Sequence, residues 1–122
     1  MNQLEQYKFD KLVEIVATTL DSLSLLFEEL GIDGMHKLTN PSLAQLRELF
    51  SYMKSEAENL EKDLENATDS INSVTALMYL QNVKQGLLFA DSLLIGIEKF
   101  DAEYCERAHN DIRSNTLVSP QW

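Results

Sequence analysis

The residues most capable of chemistry in this chain lie close together near its C-terminal end. Glu106 and His109 form Glu-x-x-His, a spacing that sets a carboxylate and an imidazole on one face of a helix and serves di-iron bundles. Such a centre also needs a second copy of the motif and two further inward glutamates. The other histidine, His36, has Asp33 three residues before it and sits in a stretch expected to be a loop, so the second copy is missing. The expectation is therefore no metal and no cofactor, with His109 on a solvated helix face. Cys105, the single cysteine, has Glu103 and Glu106 as neighbours, and anions suppress the thiolate. A structural, partly buried thiol is the expectation, and with no glycine-rich phosphate loop in the chain the reading is non-enzymatic.

An acidic helical chain with one candidate histidine resembles histidine phosphotransfer domains, in which a basic residue and a glycine follow the histidine. Here Asn110, Asp111, Ile112 and Arg113 follow His109, and Asp111 would repel a phosphoryl group. The resemblance covers composition and one residue, and it ranks third among the functional readings.

Charge is the stronger signal. The chain has 20 Asp and Glu against 10 Lys and Arg in 122 residues, a net charge of −10. That field repels nucleic acid and anionic membrane and favours basic protein partners. Half of it is concentrated in one stretch, where Glu56, Glu58, Glu61, Asp63, Glu65 and Asp69 face Lys62 alone. A second concentration, Glu98, Asp101, Glu103, Glu106 and Asp111, is offset by Lys99 and Arg107. Glu61 and Glu65 repel at i,i+4, and tolerated repulsion suggests use as a partner-binding surface, against the plainer reading of a solubilising face.

Elements able to carry these groups are helical. Four glycines and two prolines leave few breaks, and Leu, Glu, Ala, Lys and Gln recur. Leu4, Leu12, Ile15, Val16, Leu20, Leu23, Phe27 and Leu30 predict a first helix from Gln3 to Leu30, stopped by Gly31. A loop over 31–40 follows, with Ile32, Met35 and Leu38 tucked against the core. Asn40-Pro41 is a helix-start signal. Leu43, Leu46, Phe50, Met53, Ala57, Leu60, Leu64 and Ala67 then alternate steps of three and four, an a/d seam for a bundle interior or for a second copy of the chain. Tyr52, Asn59 and Asn66 form an uncharged column beside it.

A turn is expected over 66–70. The third helix, from about Ser70 or Ile71, carries Leu80, Val83, Leu87, Ala90, Leu94 and Ile97, with Val74, Leu77, Leu88 and Ile95 widening its apolar face, the mark of a central helix. Gly86 and Gly96 permit close approach or a bend. A break near Phe100 with Asp101 as cap leaves a short fourth helix with Phe100, Tyr104, Ala108 and Ile112 inward. The fold expected is all-α, an antiparallel bundle of three long helices and a short C-terminal fourth, as one domain over 1–113 with an irregular tail over 114–122.

Two functional classes follow. The first is a small acidic protein that masks a basic surface on a partner, such as a nuclease toxin groove, in the manner of inhibitor, immunity or antitoxin proteins; Glu56, Glu58, Glu61, Asp63, Glu65 and Asp69 would bind it. The second is a structural or regulatory protein that self-associates as a homodimer. No apolar run reaches the roughly 20 residues that span a bilayer. The polar start of the chain lacks the order of a secretory signal and the lone cysteine fits a reducing compartment, so cytoplasmic residence is expected.

Overall fold

The computed structural model describes residues 2–37, 40–66, 71–118 and 120–122. Among them are four helices and no strand: α1 (Gln3–His36), α2 (Asn40–Glu65), α3 (Ile71–Glu98) and α4 (Ala102–Ser114). The expected bundle of three long helices and a short fourth is what forms. Leu38, Ala67, Ser70 and the side chains of Asn40 and Pro41, on which parts of the sequence reading rest, lie outside the described residues.

Asn2 opens α1 by accepting a hydrogen bond from the Glu5 backbone N–H at 2.8 Å and donating through Nδ2 to Glu5 Oε1 at 3.0 Å, a reciprocal cap. Gly31 breaks the helix as expected, at φ 65°, but helical geometry resumes for Ile32 to His36. The expected loop thus becomes a kink and a further turn, which drives Met35 fully into the core. The phase of α1 also differs from expectation. Leu4, Ile15 and Leu30 are exposed, and Phe9 and Val13 take the inner positions with Leu12, Val16, Leu20, Leu23 and Phe27. The helix is apolar on more than one side, and its partners select the row that is buried.

The α2 seam behaves as the sequence predicts. Leu43, Phe50, Met53, Ala57, Leu60 and Leu64 are buried, and Leu46 packs partly buried against them. The seam is filled by the chain's own core, so it is not available to a second copy. α3 is central: it contacts α1, α2 and α4, whereas no Cα of α2 comes within 8 Å of one in α4 among the described residues. Its six expected inner residues are all buried. Val74, Leu88 and Ile95 do not widen that face; they are exposed, and Ser73, Ala76, Gly86, Leu93 and Gly96 are buried instead.

The break between α3 and α4 falls where expected. Phe100 takes φ 55°, its N–H donates to Ile97 O at 3.2 Å, and the Asp101 N–H reaches Gly96 O at 3.0 Å, the bonding of a Schellman closure with phenylalanine in glycine's usual place. Asp101 then caps α4, accepting from the Tyr104 N–H at 3.0 Å. Phe100 does not point inward; it is exposed and lies over the His36 ring at 4.4 Å between centroids. The inner face of α4 is Cys105, Ala108, His109 and Ile112. After α4, Asn115, Thr116 and Leu117 lie irregularly beside α1, and Trp122 meets Phe9 edge-on at 5.5 Å and donates through Nε1 to Asp10 at 3.0 Å.

Candidate partner-binding surface

The acidic helix α2 is held in register against α3 by three ion pairs. Arg47 Nη2 meets Glu98 Oε2 at 2.6 Å, Lys54 meets Asp91, and Lys84 Nζ meets Glu61 Oε2 at 3.0 Å. Positions 47, 54 and 61 ascend by sevens on α2 while 98, 91 and 84 descend by sevens on α3, as an antiparallel pair of helices requires. A pair of this kind, part-exposed, is worth at most about 1 kcal/mol, so the ladder sets register more than stability.

This ladder fixes where the carboxylates point. Lys54, Glu58, Glu61 and Glu65 follow one another at steps of four, three and four, which makes them one row on α2. Since Lys54 and Glu61 reach across to α3, Glu58 and Glu65 stand on that same flank, both exposed and without an ion-pair partner among the described residues. Glu56 and Asp63 go to the opposite flank and line a groove against α1. Asp69 lies outside the described residues. The sequence cluster is therefore two surfaces: Glu58, Glu61 and Glu65 are brought together, and Glu56 and Asp63 are separated from them.

The α1–α2 groove encloses about 370 Å³ over Leu12, Met53 and Leu60, with the exposed rings of Tyr7 and Tyr52 at its rim. Lys8 and Lys11 on one wall oppose Glu56 and Asp63 on the other, so its charge is nearly balanced. Of the uncharged column, Tyr52 and Asn59 line this groove. No histidine, cysteine or serine is among its lining residues, so what it offers is apolar contact, ionic contact and the hydrogen-bonding groups of Tyr7, Tyr52 and Asn59.

His109 does not lie on a solvated face. It is only 5% exposed, its Nε2 is 2.9 Å from Ser24 Oγ and 3.6 Å from Glu28 Oε1, and its ring leans on Phe27 at 4.8 Å. Arg113 Nη1 holds the same Glu28 oxygen at 3.1 Å. A serine, a histidine and a glutamate thus converge, but hydroxyl and carboxylate address the same ring nitrogen. In a nucleophilic triad the carboxylate orients the ring through the other nitrogen. The group ties α1 to α4, and among the described residues no carboxylate reaches the other ring nitrogen. Glu106 is exposed, so Glu-x-x-His is split between surface and core. Among the described residues no three His, Cys, Asp or Glu side chains gather as a metal-holding group. The signal for a buried His109 was present in the sequence: it shares the i+3, i+4 row of Cys105 and Ile112, one position away from the row expected.

Cys105 is fully buried and donates weakly toward Leu93 O at 3.9 Å. Burial, with Asp101 and Glu106 adding to it, pushes its thiol from an ordinary 9.0 to about 11. The expected anionic suppression is present, though burial is the larger cause and Asp101 acts where Glu103 was expected. No helix among the described residues is long and apolar enough to cross a membrane. Comparison with protein-family models, curated proteins and solved structures gave no match to this chain.

Proposed function

We propose that this chain is a small acidic, non-enzymatic protein-binding module of the inhibitor, immunity or antitoxin type, which masks a basic surface on a partner such as a nuclease toxin. The observation that carries the reading is the row Glu58, Glu61, Glu65 on α2. Two of its three carboxylates are exposed and have no ion-pair partner among the described residues, on a helix whose register is held by three ion pairs. Carboxylates on a rigid helix steer a basic partner and pay little ordering entropy on binding. Buried His109, with hydroxyl and carboxylate on one ring nitrogen, and protonated Cys105 support a non-catalytic role, and a free thiol fits a reducing, cytoplasmic setting.

The test uses E58K/E65K, which spares Glu61 and its bond to Lys84. Wild-type chain is expected to retain a basic protein from extracts of its source cells at low ionic strength and release it in high salt. E58K/E65K should retain none, with an unchanged circular dichroism spectrum. Retention that is indifferent to salt and to the substitution refutes the reading.

A further inference from the structure

One side of α3 is left uncovered by the other helices. Ile71, Val74, Met78, Leu88 and Ile95 are all exposed there, Ile71 at 85%, Met78 at 69% and Leu88 at 52%. They fall on a single row of alternating steps of three and four, whose remaining positions are Gln81, Gln85 and Ser92. In a chain with one charged residue in four, this row has no charge at all. From Ile71 to Ile95 it extends about 36 Å at about 1.5 Å per residue. An uncharged apolar row of that length on an otherwise highly charged protein marks an interaction surface.

Its borders indicate what covers it. The ion-pair ladder places Lys84 and Asp91 along the α2 side of the row, and beyond them stand Glu58, Glu61 and Glu65. Glu61 is answered by Lys84, so Glu58 and Glu65 supply the free charge of that border. On the α4 side, Tyr104, Arg107 and Asp111 gather around Ser92, with one charge of each sign. A second copy related by a two-fold axis would set the acidic border against this nearly neutral one if the two α3 helices ran parallel, and against itself if they ran antiparallel, leaving two chains of net charge −10 uncompensated in either case. An anionic membrane is repelled for the same reason. A row with three-four spacing accepts the matching row of another helix, and flanking charges select which helix.

We propose that this face of α3, with Glu58 and Glu65 along its α2 edge, is the docking site for an amphipathic helix of a partner protein that carries Lys or Arg beside its apolar row. The proposal rests on the acidic-binder reading and assigns that reading a site. The probe is a fluorescently labelled synthetic helix of Leu and Lys, with Leu at the a and d positions, compared with a scrambled peptide of the same composition. Three variants of the full chain separate the contributions: M78D/L88D on the row, E58K/E65K on its edge, and E56K/D63K on the far flank. All six positions are exposed, and circular dichroism checks that each variant folds.

Wild type is expected to bind the amphipathic peptide about tenfold or more tightly than the scrambled one, with a similar loss for M78D/L88D and for E58K/E65K and none beyond about twofold for E56K/D63K. Loss with E58K/E65K but not with M78D/L88D overturns the α3 site and leaves the acidic reading standing. Loss with M78D/L88D alone refutes the basic occupant and the acidic reading together. A wild-type dimer in sedimentation that M78D/L88D dissociates shows that a second copy covers the face, and equally overturns the proposal.

Discussion

Gly96→Ala tests how α4 is seated on α3. A Cβ at position 96 would lie 2.7 Å from Cys105 Sγ, 2.9 Å from Tyr104 Cδ1 and 3.2 Å from the Cys105 backbone nitrogen. Ordinary contact between such atoms is about 3.5–4.0 Å, so α4 must shift by several tenths of an ångström or more. It has little freedom to do so, because Cys105 is buried and its N–H is bonded to Asp101 O at 3.0 Å in the first turn of α4. Overpacking of this kind costs about 1–3 kcal/mol, while alanine for glycine within a helix returns about 1 kcal/mol. Because a backbone atom is among those met, the cost falls in the upper part of that range, about 2–3 kcal/mol, and the expected net effect is a loss of about 1–2 kcal/mol, or a Tm about 4–8 °C lower for a domain of this size. Gly86→Ala is the internal comparison. Its Cβ would meet Asn115 Nδ2 at 2.8 Å and Leu20 Cδ1 at 2.9 Å, both ends of side chains that can turn aside. Urea and thermal unfolding followed by circular dichroism should therefore place Gly96→Ala clearly below Gly86→Ala. Equal stability of Gly96→Ala and wild type, or the reverse order, would refute the close seating of α4.

Cys105 should react with iodoacetamide far more slowly than a free thiol at pH 8, and at the free rate once the chain is unfolded in urea. Because its folded pKa is raised, its contribution to stability is complete below pH 9.0 and is lost as pH rises towards about 11, a fall that Cys105→Ala should lack. A double-mutant cycle on Glu61 and Lys84 should give a coupling of about 0.5–1 kcal/mol that shrinks in high salt. Trp122 is the sole tryptophan, so Phe9→Ala or Asp10→Ala should red-shift its emission, and an unchanged spectrum would place the tail elsewhere.

What the sequence made legible is local. The α2 seam, the Asp101 cap and the break at Gly31 each follow from a few residues whose preferences need no tertiary partner. Phase was legible only where a helix has one apolar row. α1 and α3 have more than one, and burial of Phe9 and Val13 over Leu4 and Ile15, or of Ala76 and Leu93 over Val74 and Leu88, is decided by where the neighbouring helices lie. His109 was misplaced for a related reason: a polar residue on an apolar row reads as surface until Ser24, 85 residues away, supplies its hydrogen bond. The acidic cluster was visible as composition, and its division into two rows follows from spacing on α2, but which row faces α3 depends on Lys84 and Asp91, which no local pattern on α2 reveals.

The central claim is that binding uses one flank of α2 and not bulk charge. E58K/E65K and E56K/D63K change net charge by the same amount on opposite sides of one helix, so a titration of both against the basic partner, at matched ionic strength, isolates position. The account predicts that E58K/E65K weakens the complex by about tenfold or more while E56K/D63K stays within about twofold of wild type. Equal weakening by both, or weakening by E56K/D63K alone, would contradict it.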